Sequence, residues 1–195
     1  MSDATAKQRH TPTNRRHVLL AAAARCFYRD GFAAASMRDI AAEAGMQTAS
    51  IYYHFDSKDD LLTAVHEDGL RTITAAVTAA IQDTDPGWAR LGAACRAHLA
   101  TLLEGGDFFK AVMRQLPREF SGRDKVMKLR DDHERIFTEV ISQLDLAPGT
   151  DLRHLRLMLL GAMNWCFTWY HRGAATPTEI ADRFVEFLRV GLDRG

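Results

Sequence analysis

Ser36 to Leu61, SMRDIAAEAGMQTASIYYHFDSKDDL, constrains the fold more than any other stretch of this chain. Ile40, Ala41 and Ala44 recur at helical spacing and give one short helix a face to bury. Ser36 stands three residues before Asp39, the spacing of a capping box. Gly45 ends that helix, because glycine enters the left-handed conformation at little cost. A second short helix follows, on which Ile51 and Phe55 share the inward side. Thr48, Ser50, Tyr52, Tyr53 and His54 are then mostly left outside. A helix-turn-helix offers such a polar second helix to the DNA major groove. Periodicity alone leaves a second reading open, a hairpin of amphipathic helices inside an all-α domain.

The rest of the chain reads as helices separated by turn signals, about nine in all, with strand signals nearly absent. Leu19, Ala23, Cys26 and Phe27 share a face of the first helix, which Gly31 closes. Ser57 caps a helix that continues from Lys58 to about Gln82, linking the first part of the chain to the remainder. Asp85-Pro86-Gly87 is a break. Helices are expected over Trp88 to Glu104, Phe108 to Leu116 and about Gly122 to Leu144, and the last carries one sustained apolar face from Val126 to Leu144. A further helix is expected from Thr150 or Asp151 through His171. Thr176-Pro177-Thr178-Glu179 starts the final one, with a threonine cap, proline in the first turn and glutamate closing the box. The implied organisation is an arm over 1–12, a helix-turn-helix domain over 13–60 and a helical ligand-binding and dimerisation domain over 61–195.

Charge and composition narrow the function. Formal net charge is zero, yet up to Arg29 the chain carries Lys7, Arg9, Arg15, Arg16, Arg25 and Arg29 against the single acid Asp3. Such asymmetry suits a basic end facing phosphates. No apolar run reaches the roughly 18 residues of a membrane span, and no apolar core follows the N-terminal cations as a secretory signal requires. A cytoplasmic protein without membrane partners is expected. Cys26, Cys95 and Cys166 form no CxxC pair and read as reduced, buried small hydrophobes. Nucleophile-elbow, P-loop, dinucleotide-glycine and zinc-protease motifs are missing. No enzyme, cofactor or resident metal is therefore expected. The alternatives are an all-α protein-interaction module, or a metal-binding helical enzyme using His98, Asp131, Asp132, His133 and Glu134; His133, however, falls on the buried stripe.

The strings RRHVLLAAAARCFYRDGF, DIAAEAGM, IYYHF and SKDDLL, in that order over the first third of the chain, resemble the DNA-binding domain of the TetR family of transcriptional regulators. The resemblance implies a homodimer on a palindromic operator in double-stranded DNA, a variable ligand-binding domain, and repression released by a small molecule. By position, Gln47, Thr48 and Ser50 fall where base edges are read. Tyr52, Tyr53, His54 and Lys58 fall where the DNA backbone is held, and Ser36 opens a helix whose amides face a phosphate. The match departs at Gln47, where many members carry serine, a better helix cap.

Dimerisation is expected through the last two helices. Leu152, Leu155, Leu159, Met163, Phe184 and Leu188 offer a wide apolar face there, and the family dimerises through a bundle of these helices. A weaker resemblance, in GAMNWCFTWYHRGAATPTEIADRFVEFLRVGL, is to TetR-type regulators of fatty-acid, aromatic-acid or steroid breakdown, some of which sense acyl-CoA thioesters. It implies a small hydrophobic effector. Trp88, Phe109, Met113, Arg114, Phe137, Trp165 and Trp169 are the candidates for its pocket, with the two tryptophans stacked four residues apart on one helix face. Arg118, Arg123 and Arg172 are further candidates for its phosphates.

Overall fold

A computed structural model describes residues 12–193. The arm expected over 1–12, with Lys7 and Arg9, lies almost wholly outside them. Among the described residues the chain forms nine α-helices: α1 Pro12–Arg29, α2 Met37–Glu43, α3 Thr48–Tyr52, α4 Lys58–Gln82, α5 Trp88–Glu104, α6 Gly106–Met113, α7 Arg123–Ser142, α8 Leu152–Trp165 and α9 Pro177–Leu192. The one β feature among them is an isolated bridge between Leu146 and Asp193. The fold is all-α, as the periodicity predicts. No helix among the described residues is long and apolar enough to cross a membrane.

Local chemistry sets most helix ends. The Asp39 N–H donates to Ser36 Oγ (3.1 Å), and the Ser36 hydroxyl donates to Asp39 Oδ2 (2.5 Å). Gly45 sits at φ +64°, and the N–H groups of Gly45 and Met46 return to the carbonyls of Ala42 and Ala41. That pair of bonds is a Schellman motif, closing α2 and turning the chain toward α3. Ser57 accepts from the Asp60 N–H at the start of α4, and Thr176 and Glu179 complete the capping box of α9.

The end of α8 departs from expectation. The helix stops at Trp165 and passes into a 3-10 turn, Cys166–Thr168, instead of running to His171. Trp165-Cys-Phe-Thr-Trp-Tyr is a run of aromatic and β-branched residues with low helix propensity. The Thr168 hydroxyl donates to the Trp165 carbonyl and competes for the helical backbone. Trp165 and Trp169 therefore do not stack on one helix face; the ring beside Trp165 is Phe167, at 6.4 Å.

Two apolar clusters form the interior. The first joins Leu19, Leu20, Ala23 and Phe27 of α1 with Ile40, Ile51, Leu61 and Val65, and extends into Val112, Leu116, Phe120 and Val126. The second gathers Ile73, Val77, Leu91, Leu99, Phe137, Ile141, Leu159, Met163 and Ile180. Helix α4 feeds both, its first half one and its second half the other. Where α4 passes α6, a Cβ on Gly69 would fall 2.6 Å from Val112 Cγ2, so only glycine permits this approach. The cysteines Cys26, Cys95 and Cys166 are free and buried.

Candidate nucleic-acid interface

Helix α3 is only five residues long and is anchored by one fully buried side chain, Ile51. Phe55, half-buried, packs against the same cluster just beyond it. A helix this short is not stable alone, so its placement comes from the packing beneath. Gln47, Ser50, Tyr52, Tyr53 and His54 are exposed, Tyr53 at 86%, while Thr48 is half-buried. Large aromatic side chains left in water are unusual and mark a surface made to contact something. Tyr53 and His54 lie edge to face at 5.2 Å. Gln47 takes the N-cap position of α3 with no side-chain capping bond, which leaves its carboxamide free. Ser36 is exposed but committed to Asp39.

Lys58 is engaged within the chain, which the sequence-based reading did not foresee. Its ammonium donates to the carbonyls of Ala35 (2.9 Å) and Ala33 (3.3 Å) and lies 4.6 Å from the Phe32 ring centre. The turn after α1 leaves carbonyls without helical partners, and the first residue of α4 takes them. Lys58 thus ties the turn in place with two of its three N–H donors. Asp59 and Asp60 are likewise occupied, by Ser121 and Ser57.

The basic end is also less free than its charge count suggests. Arg25 Nε donates to Glu43 (2.8 Å), and Arg29 pairs with Asp30 (2.9 Å) and Glu43 (3.4 Å). Hydrogen bonds from Arg25 and then Arg29 hold the Glu43 carboxyl below its ordinary pKa. These pairs lock α1 to α2. Arg38, exposed on α2 without a partner among the described residues, is a reader cation that the sequence reading missed; its signal was a charged residue between two buried ones, Met37 and Ile40.

In the body, a cavity of about 170 Å³ lies among α4, α5, α6, α7 and α8, lined by Leu70, Ile73, His98, Met113, Arg130, His133, Glu134, Leu160 and Asn164. A buried polar line runs along it. Thr74 Oγ1 lies 3.1 Å from His133 Nδ1, His133 Nε2 3.1 Å from His98 Nδ1, and His98 Nε2 2.9 Å from Asn164 Oδ1. Burial pushes the His133 pKa down to about 4; burial and the neighbouring His133 push that of His98 to about 3. Both imidazoles are therefore neutral near pH 7, with every ring nitrogen in a hydrogen bond.

Of the effector-pocket candidates, only Met113 lines this cavity. Phe109 and Phe137 are core, and Trp88 is half-buried against the second cluster. Trp165 and Trp169 are outside, 64% and 45% exposed. Arg114 donates to the carbonyls of Phe27 (3.0 Å) and Tyr28 (2.8 Å), clasping the end of α1 to the end of α6. Arg123 is held by the carbonyls of Leu116 and Pro117.

The dimer-face candidates divide as well. Leu155, Leu159, Met163 and Leu188 are buried within one chain, Phe184 is half-buried, and Leu152 is 37% exposed. The widest apolar stripe of each helix is the one its own core consumes. The opposite faces carry Leu157 (45%), Met158 (57%) and Trp165 on α8, and Phe187 (73%) and Val190 (78%) on α9.

Comparison with known proteins agrees with this arrangement. Residues 19–65 match the family model "Bacterial regulatory proteins, tetR family", and residues 84–192, more than half the chain, match "Tetracyclin repressor-like, C-terminal domain". The HTH-type transcriptional repressor KstR2 of Mycolicibacterium smegmatis is 42% identical over 59 residues, which is 30% of this chain and 29% of that protein, so the alignment spans less than a third of that relative. The crystal structure of superantigen pfit superposes with TM-score 0.75 at 31% identity, covering 91% of this chain and 90% of that one. The structure of AibR in complex with isovaleryl coenzyme A and operator DNA superposes with TM-score 0.77 at 25% identity, covering 89% and 97%. The families matched are those of regulators and not of enzymes. With a reader of this geometry and family models covering both of its parts, the chain belongs to the TetR family of DNA-binding transcriptional regulators.

Proposed function

We propose that the protein is a homodimeric repressor that reads an approximately palindromic operator and releases it when a small hydrophobic effector, in particular a coenzyme A thioester, occupies the body. The observation that carries the reading is α3: one buried anchor beneath, and Gln47, Ser50, Tyr52, Tyr53 and His54 exposed above. Gln47 suits the N6/N7 edge of adenine, and Thr48 and Ser50 follow it along the groove. Tyr52, Tyr53 and His54 hold phosphates, which fix register without reading sequence. Ser36 opens α2 beside another phosphate. In this division the reader ends near residue 60 and the body follows.

One reader buries too little surface for tight specific binding. Two copies, with readers about 34 Å apart, match the pitch of the duplex. The outer faces of α8 and α9, with Met158, Trp165, Phe187 and Val190, supply the apolar surface for that pairing. The similarity to AibR, whose structure contains isovaleryl coenzyme A and operator DNA, supports both ligand classes.

Fluorescence anisotropy on labelled DNA from upstream of the coding region tests the reading. Affinity should fall by orders of magnitude between about 50 and 200 mM salt, because phosphate contacts release counterions. Tyr53→Phe should weaken every duplex alike. Salt-indifferent retention, or none at all, would contradict the proposal.

A further inference from the structure

The line Thr74–His133–His98–Asn164 draws on four helices, and its two imidazoles are 5% and 1% exposed. Their rings pack edge-on against Phe137 at 5.5 and 5.7 Å, which fixes their planes. Each contact must join one donor to one acceptor. Asn164 presents Oδ1, so His98 carries its proton on Nε2 and offers a lone pair on Nδ1. His133 then donates from Nε2, and its Nδ1 accepts the Thr74 hydroxyl. Thr63, Thr72, Thr84 and Thr101 return their hydroxyls to the carbonyl four residues earlier, whereas the Thr74 oxygen faces His133. A further proton on His98 Nδ1 would set N–H against N–H across 3.1 Å, and one on His133 Nδ1 would displace the Thr74 hydroxyl proton from that contact. With Oδ1 toward His98 the line has one order, and it ends with the Asn164 oxygen spent.

What Asn164 retains is its amide nitrogen, two N–H donors without a partner among the described residues, in a side chain that lines the 170 Å³ cavity. Arg130 stands in the same wall, with one N–H given to the Val112 carbonyl (3.1 Å) and the others unspent. The wall's carboxylate, Glu134, is already held by Arg156 at 3.2 Å. The rest of the lining includes the apolar residues Leu70, Ile73, Met113 and Leu160. Asn164 and Arg130 are half-buried, and donors that line a cavity without a protein acceptor favour a ligand that supplies one. The volume is well under the roughly 300 Å³ at which pockets for drug-sized ligands begin.

We propose that this cavity takes a short acyl group of a few carbons, whose carbonyl oxygen accepts from Asn164 Nδ2 and Arg130. The inference rests on the body being the effector domain, and it names the class of acyl group and the residues that select it. A thioester and a free short-chain acid share this chemistry.

Isothermal titration of the purified full-length protein with butyryl-CoA, hexadecanoyl-CoA and butyrate separates the possibilities. Butyryl-CoA should bind, and hexadecanoyl-CoA should bind roughly tenfold or more weaker. Asn164→Asp keeps an oxygen for His98 but replaces the cavity donors with an acceptor, and should lower butyryl-CoA affinity roughly tenfold or more. Arg130→Met, away from the histidine line, should lower it in the same direction, and circular dichroism checks that both variants are folded. Butyrate binding as tightly as butyryl-CoA would support the short acyl group and assign its source to free acids. Undiminished butyryl-CoA binding by both folded variants would overturn the proposal. So would hexadecanoyl-CoA binding as tightly as butyryl-CoA; if it also releases DNA, the effector reading survives and only the short-chain assignment falls. Absence of binding by all three compounds overturns the proposal and removes the thioester reading with it.

Discussion

The reader and the body treat polar side chains in opposite ways. Helices α1 to α3 rest on apolar residues and send their polar groups outward, so no buried polar side chain lies beneath α3. The buried polar side chains of the described residues, His66, His98 and His133, all sit on α4, α5 and α7. Outward display suits contact with a large partner, whereas an ordered line beside a cavity suits the proposed small one. The reader therefore depends on packing braced by ion pairs and the Lys58 bonds near its surface, and the body on packing plus a protonation state.

The largest expected effect separates the two regions by pH. Burial lowers the His66 pKa to about 4, with Arg130 adding to the shift, and His98 and His133 are lowered to about 3 and 4. Near pH 7 all three are neutral in the fold. As pH falls below about 6.5 the unfolded chain takes up protons that the fold refuses, so stability drops until pH reaches the folded values near 3 to 4. The combined loss is on the order of several kcal/mol. Chemical denaturation followed between pH 7 and pH 4 checks it, and a flat profile would remove the contrast.

Ile51→Ala comes next. It empties the one fully buried anchor under α3 and should cost about 2–5 kcal/mol, with DNA binding lost more completely than the fold. Thermal melts compared with anisotropy read the two effects. Lys58→Met keeps the aliphatic stem over Phe32 but removes the bonds to Ala33 and Ala35. A loss of about 1.5–3 kcal/mol is expected; a variant of native stability with weakened DNA affinity would return Lys58 to the phosphate role. The smallest effect on stability belongs to Gln47→Ala, since its side chain makes no capping bond. Its effect should be a changed preference among duplex sequences, measured by competition, and equal loss on all duplexes would demote it to a supporting role.

What the sequence disclosed was local. Ser36, Gly45, Ser57 and Thr176 act within one helical turn, and each ends or starts a helix where its chemistry places it. The inward residues Ile40 and Ile51 follow from the helical period. Less local features were misread or missed. Lys58 reaches carbonyls 23 and 25 residues away, and the histidine line joins residues 35 to 66 apart. No periodicity encodes such meetings. The residues expected at the dimer face divide for a related reason: Leu155, Leu159 and Met163 make the stronger apolar stripe, but a helix offers that stripe to its own core first. The exposed face is weaker in pattern and visible only after the core has been assigned.

The central claim is that α3 is the surface that meets DNA. Replacing Tyr53 with the photocrosslinking residue p-benzoyl-phenylalanine, and Phe187 likewise in a second sample, tests it in one irradiation of the protein on its upstream DNA. The account predicts protein–DNA adducts from position 53 and protein–protein adducts from position 187. Adducts to DNA from position 187, with none from position 53, would contradict it.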